Sequence, residues 1–159
     1  MIRRATQEDA DAIFHVHTSA IRHVAASHYT SDQIETWAGR LRPAAYREPI
    51  EHKILLVAVD DTGDICGFGQ LDVPNSVVEA VYVLPSHLRR GLGKGLLAAL
   101  EAAAHASGVS ALTLDASLNS VPFYSRAGYV PIRATEHQLK AGVAIPCMLM
   151  HKVLSHAAG

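Results

Sequence analysis

Apolar residues recur along this chain with two different periods, and the changes from one to the other mark out its elements. Ala12, Ile13, Val16, His17, Ala20, Ile21 and Val24 stand three and four apart, as on one face of a helix. Thr6 is a candidate N-cap for it, with Asp9 three residues on in place of the usual Glu or Gln. The helix should fade near Ser27. Ile34, Trp37 and Ala38 mark one side of a second helix, capped by Ser31 and ending near Gly39. Leu92, Leu96, Leu97, Leu100, Ala103 and Ala104 give a third, longer apolar face that reaches about Ser107, with Gly108 as its C-terminal cap. A short helix is expected after Asn119 or Ser120, with Pro122 in its first turn and Gly128 at its end.

The strand-like stretches lie between these. Ile2 to Ala5 reads as a short first strand. Ile54 to Val59 is apolar at every position, as in a strand buried on both faces. Asp60 to Asp64 is a turn, so Ile65 to Val73 should return antiparallel. Pro74-Asn75-Ser76 turns again into Val77 to Leu84, and Pro85 stops that strand. Leu112 to Ala116 follows the long helix and should run parallel to Val77–Leu84 through a right-handed crossover. Tyr129 to Ile132 begins a strand, Ala144 to Val153 forms the last one, and Lys140-Ala141-Gly142 lies in the hairpin between. Pro43 and Pro49 bracket a loop or short helix. The pattern predicts a single α+β domain over residues 1–159, with a mixed, mostly antiparallel central sheet flanked by helices.

Composition narrows the classes. A chain of 159 residues, 49% hydrophobic, can bury a sizeable core. With 14 basic and 15 acidic residues, nothing global points to nucleic acid or to an anionic membrane. The longest clean apolar run, Ile54–Val59, is too short to span a bilayer, no signal peptide is evident, and a cytoplasmic protein is expected. Cys66 and Cys147 read as buried free thiols. No His/Cys spacing suits a metal, and His15 and His17 would not share a helix face.

The candidate chemistry begins between the strand ending at Leu84 and the helix beginning near Leu92. Arg89, Arg90, Gly91, Gly93 and Lys94 sit there. A loop of this kind points unpaired backbone N–H groups outward at a positive helix end, which suits an anion such as a pyrophosphate. It is not a dinucleotide loop, since Leu96 stands where the last glycine would be. Nor is it a P-loop, which needs Gly four residues before Gly-Lys and Ser or Thr after it.

Over nearly its whole length the sequence resembles the GNAT superfamily of acyl-CoA-dependent N-acetyltransferases. The element order is that of the family. Its phosphate-binding pattern is Gln/Arg-x-x-Gly-x-Gly/Ala, and Gly91 and Gly93 take the two glycine places, with Leu88 departing from Gln or Arg at the first. A second register, Arg90-x-x-Gly93-x-Gly95, fits the letters; the first puts Leu96-Leu97 where the family has its apolar helix pair. Asn119, Phe123, Tyr124, Gly128 and Tyr129 match a second family stretch, an Asn before a short helix, then Phe-Tyr, then Gly-Phe or Gly-Tyr. Tyr29-x-x-x-Gln33-Ile34-x-x-Trp37 looks like one large bacterial branch.

The resemblance implies transfer of an acetyl group from acetyl-CoA to an amine. An alkylammonium has a pKa of ~10 and a thiol one of ~8.5, so a base must free the amine and an acid helps the thiolate leave. Strand alternation puts Val77, Glu79, Val81 and Val83 on one face. Glu79 is the candidate base, or else a surface Glu paired across strands. Tyr124 is the candidate acid, or else an aromatic core residue. The backbone of Val81, Tyr82 and Val83 would pair with the pantetheine arm and supply an oxyanion donor. Asn119 would bind that arm or cap a helix. Arg89, Arg90, Gly91, Leu92, Gly93, Lys94 and Gly95 would line the pyrophosphate, Lys94 being equally well a solvated helix charge. His28, Tyr29 and Trp37 would shape the acceptor pocket, Trp37 equally well by packing between helices. The acceptor would be a small-molecule or peptide amine. No dense acidic cluster marks a polyamine site, and no feature names the amine. A longer acyl donor, a non-catalytic acyl-CoA sensor and a protein N-terminus or lysine acetyltransferase are the other readings; a homodimer is common in the family.

Overall fold

A computed structural model describes residues 1–154, without the side chains of residues 24 and 25. Val24, expected on the first helix's stripe, therefore lies outside the described side chains. The chain begins with β1 (Ile2–Arg4), then α1 (Ala10–Val24), α2 (Ser31–Gly39) and the short α3 (Arg47–His52). Three strands follow, β2 (Ile54–Val59), β3 (Ile65–Asp72) and β4 (Val77–Val83), then the long α4 (Leu92–Ala106). β5 (Ala111–Ser117), α5 (Val121–Arg126), β6 (Val130–Lys140) and β7 (Val143–Val153) complete it. Among the described residues no helix is long and apolar enough to cross a membrane.

The strands form one seven-stranded sheet in the order β1-β2-β3-β4-β5-β7-β6. Every pairing is antiparallel except β4 with β5, which are joined by α4 and run parallel. This is the expected mixed, mostly antiparallel α+β sheet.

Helices cover both faces. Leu96, Leu97, Leu100 and Ala104 of α4 pack on Leu56, Ala58, Leu71, Val78, Leu112, Leu114 and Met150. On the other face Ile13 and Val16 of α1 meet Leu55, Val57 and Phe68. Farther along that face Ile34, Trp37 and Ala38 of α2 meet Ile145 and Cys147. Leu55 and Val57 point one way and Leu56 and Ala58 the other, which is why β2 is apolar throughout.

Two local expectations change. Thr30, not Ser31, caps α2: Gln33 N–H donates to Thr30 Oγ1 at 3.1 Å and Thr30 N–H donates to Gln33 Oε1 at 2.9 Å. Gln33 stands three residues after Thr30, so that pair can close a reciprocal box, and Ser31 becomes the first helical residue. The strict alternation of β4 also fails. Gln70 pairs with Ala80 and Leu71 with Val78, which leaves Glu79 as the extra residue of a β-bulge. Val78 then joins Val81 and Val83 against the α4 layer, while Ala80 and Tyr82 face α1.

α4 lies close on β3 because two glycines make room. A Cβ on Gly67 would stand 3.1 Å from Leu96 Cδ1, and one on Gly69 would stand 2.8 Å from Leu100 Cδ1. Leu100 is fully buried and has little room to yield. Gly69→Val is expected to cost about 1–3 kcal/mol through overpacking. The measurement is a urea titration, read as a lower midpoint at unchanged m-value.

Candidate active site

β4 and β5 share a single rung, Val77 with Thr113, held by the Thr113 N–H donating to Ser76 O at 3.0 Å. Past it the strands diverge. The opening is a cleft lined by Val78, Glu79, Ala80, Val81 and Tyr82 on one side and Asp115, Ser117, Ser120 and Tyr124 on the other. Glu79, Val81, Tyr82 and Tyr124 were expected at a site; Asp115, Ser117 and Ser120 were not. No sequence signal pointed to them, because the register of Thr113 with Val77, which brings this part of β5 to the cleft, is set only in the folded sheet.

The bulge settles where Glu79 points. Gln70 shares its face of β3 with Phe68, on the α1 side, and its Nε2 donates to Glu79 Oε1 at 3.0 Å. Lys53 Nζ donates to the same oxygen at 2.7 Å and stands 3.8 Å from Asp72. The bond to Glu79 holds the Lys53 ammonium above its ordinary pKa. Glu79 is thus on the cleft wall and also ion-paired.

Tyr124 is buried, with its ring edge-on to Phe123 and Tyr129 at centroid distances of 5.0 and 5.7 Å. Its hydroxyl has no hydrogen-bond partner among the described residues, and burial pushes its pKa well above the phenol range. Asn119 follows β5 in a 3₁₀ turn, Leu118–Ser120. Its Nδ2 lies 3.4 Å from Ser120 Oγ, and its Oδ1 is buried without a partner. A buried acceptor left open marks a place for a ligand donor.

The anion loop lies at the start of α4, on the opposite face from Glu79. Gly91 caps the helix at φ +75°, in the left-handed region, with nothing within 4 Å of a would-be Cβ. Gly93 serves differently: a Cβ there would stand 3.2 Å from Phe123 Cε1, so its bareness lets α5 approach. The Gly95 N–H is already bonded to Gly91 O at 3.0 Å, whereas the N–H groups of the first turn before it have no partner within the helix. Arg89 (φ +66°), Arg90 and Lys94 are exposed, and none makes an ion pair among the described residues. Leu92 packs partly against the core, and Leu88 is exposed.

The residues expected to shape an acceptor pocket are placed elsewhere. His28 is exposed, its Nδ1 2.7 Å from Ser27 Oγ. Tyr29 and Trp37 are buried edge-to-face at 5.6 Å in the cluster under α2, off the cleft wall. The Tyr29 hydroxyl donates to Pro146 O at 2.6 Å and accepts from Leu118 N–H at 2.8 Å, bracing the turn that carries Asn119. Behind Tyr82 lies a residue the sequence did not single out for this site. His17 lies tilted by 41° against the Tyr82 ring at a centroid distance of 4.4 Å, and its Nδ1 is 2.7 Å from Tyr46 Oη. Little of His17 is exposed, and desolvation, with Arg40 nearby, pushes its pKa down to about 3.

The family model described as Acetyltransferase (GNAT) domain matches residues 25–152. The chain is 24% identical over 132 residues to the uncharacterized N-acetyltransferase YafP of Escherichia coli K12, covering 83% of this chain and 82% of that protein. A GCN5-related N-acetyltransferase structure from Rhodopseudomonas palustris, described as aminotransferase, class-II, matches with a TM-score of 0.91 at 29% identity, over 97% of this chain and 95% of that one. The PaiA N-acetyltransferase of Thermoplasma acidophilum, solved in complex with coenzyme A, matches with a TM-score of 0.79 at 22% identity, over 96% of this chain and 98% of that one. At that identity the likeness speaks for the fold.

His17 gives the site a pH signature. Between pH 6.5 and about 3 the unfolded chain binds a proton at His17 that the folded chain does not, so its contribution to stability is lost as pH falls through that window. The expected loss is up to about 1.4 kcal/mol per pH unit. Urea unfolding at several pH values checks it: the wild-type protein should fall off more steeply than His17→Gln below pH 6.5.

Proposed function

The chain belongs to the GNAT acetyltransferase family, and from that premise we propose that it moves an acetyl group from acetyl-CoA to a primary amine by direct attack. The acceptor is a small-molecule or peptide amine. The observation that carries this reading is the separation of β4 from β5 beyond Val77 and Thr113. It leaves one edge of Val81, Tyr82 and Val83 without a β5 partner; among the described residues Asn119 Oδ1, just past β5, is buried and unpartnered, and Arg89 and Arg90, just before α4, are exposed without an ion pair.

These residues fit the donor. An extended amide-bearing arm can pair with the β4 edge as an added strand, and one of its N–H groups can meet Asn119 Oδ1. The pyrophosphate suits the first turn of α4, with Arg89, Arg90, Gly91, Leu92, Gly93, Lys94 and Gly95 around it. When bound, acetyl-CoA supplies an activated carbonyl with a thiolate leaving group.

The chain's own groups divide the remaining work. Glu79 takes the proton that the amine must lose before it can attack. Lys53 and Gln70 hold its carboxylate at the cleft. An N–H of the free β4 edge stabilises the oxyanion. Tyr124 gives a proton to the departing thiolate as charge develops on the sulfur.

Thiol release from acetyl-CoA across a panel of amines tests the reading. Release with at least one acceptor is expected; tight binding of acetyl-CoA with no release for any acceptor would favour a sensor. Glu79→Gln should lower turnover about 10²–10⁴-fold at neutral pH and recover as pH rises and the amine loses its proton unaided. Unchanged kinetics would remove Glu79 from the mechanism. Tyr124→Phe should lower kcat by a similar factor at unchanged acetyl-CoA affinity; full turnover in that variant would show that another group protonates the thiolate.

A further inference from the structure

The strands framing the cleft are parallel and part beyond their rung at Val77 and Thr113, so residues just past it line the two walls of the opening. Two residues beyond Val77 is Glu79, and two beyond Thr113 is Asp115. Both line the cleft. Both belong to the face away from the anion loop. Leu112, Leu114 and Ala116 of β5 are turned into the α4 layer, which leaves Asp115 and Ser117 on the face of α1 and α2. Pairing agrees, since Ser117 stands opposite Cys147, which packs beneath α2. A donor held at the start of α4 and an acceptor meeting Glu79 and Asp115 would therefore reach the cleft from opposite sides of the sheet.

The two carboxylates differ in their company. Glu79 is ion-paired with Lys53 at 2.7 Å, which also stands 3.8 Å from Asp72, and it receives a hydrogen bond from Gln70 at 3.0 Å. Among the described residues Asp115 receives a single side-chain hydrogen bond, from the Thr135 hydroxyl on β6 at 3.1 Å. No basic side chain forms an ion pair with it among the described residues. It is exposed to the cleft. Asp115 is thus the carboxylate of the cleft wall that has no cation of its own among the described residues.

We propose that Asp115 binds a positive charge of the acceptor, so that the preferred acceptors are primary amines carrying a second cationic group. The proposal rests on the acetyl-transfer reading of the same cleft. Glu79 takes the proton of the attacking nitrogen, so that nitrogen is neutral when it attacks. A charge that stays on the acceptor throughout the reaction must therefore sit on another group, and Asp115 is the partner available to it. Lys53 has the opposite influence: by cancelling Glu79 it limits the cleft's attraction for cations.

Calorimetric titration of the CoA-loaded full chain with 1,4-diaminobutane and with butylamine tests this without turnover. The diamine should bind more tightly than the monoamine. Asp115→Asn should weaken the diamine about tenfold or more, from the loss of one close charge pair near the surface, and leave butylamine within about twofold. Lys53→Met, which leaves Glu79 uncompensated, should tighten diamine binding several-fold, a gain that damage to the fold cannot produce. CoA affinity, measured alongside, should be the same in all three proteins. Diamine binding that ignores both substitutions while CoA still binds would overturn the proposal and leave acetyl transfer standing. Failure of the wild-type protein to bind CoA would overturn the acetyl-transfer reading and this proposal with it.

Discussion

β4 and β5 meet at Val77 and Thr113 and then leave one another. Unpaired strand edges are costly inside a protein, because each exposed N–H and C=O gives up a hydrogen bond. Here the cost is confined to one place and supported from several sides. The bulge at Glu79 breaks the alternation of β4 where the separation begins. Tyr82 and Tyr124 reach the cleft from its two walls, each anchored by aromatic neighbours in its own layer. Tyr29 ties the end of the β5 wall to β7 through two hydrogen bonds from one hydroxyl.

The separation also divides the chemistry between the two sides of the sheet. The positive helix start, the two arginines and Gly91 lie with α4. Glu79, Gln70 and Asp115 lie on the side of α1 and α2. On the proposed reading, an anionic donor and a cationic acceptor would approach the gap between β4 and β5 from opposite sides of the sheet. Lys53 tunes the second side, since it sits between Glu79 and Asp72 and leaves Asp115 uncompensated.

Much of this was legible in the chain. The apolar faces of α1, α2 and α4, the doubly buried β2, the parallel step from β4 to β5 and the glycine loop follow from periodicity and turn chemistry. Particular residues show where that legibility stops. Alternation assigned Glu79 to the face of Val81 and Val83, and a bulge turned it to the other. A bulge is a property of two strands together: Glu79 is the extra residue because Leu71 pairs with Val78 and Gln70 with Ala80. Ser31 is a good cap in isolation, and Thr30 displaced it because Gln33 returns the hydrogen bond. Gly93 stood in the phosphate pattern, yet its absent side chain is also what Phe123 packs against.

Local pattern and motif spacing were enough to determine the fold class and the family, and to single out the glycine loop as a candidate anion site. Those features are written within segments of a few residues, where backbone conformation and hydrophobic period act directly. Tertiary structure alone decided which charges face one another. Lys53 and Glu79 are 26 positions apart and bond at 2.7 Å; Thr135 and Asp115 are 20 apart and bond at 3.1 Å. Coulomb interactions depend on distance through space, and that distance is set by sheet register and strand separation. The sequence names the carboxylates, and the folded sheet decides that, among the described residues, Glu79 is ion-paired and Asp115 is not.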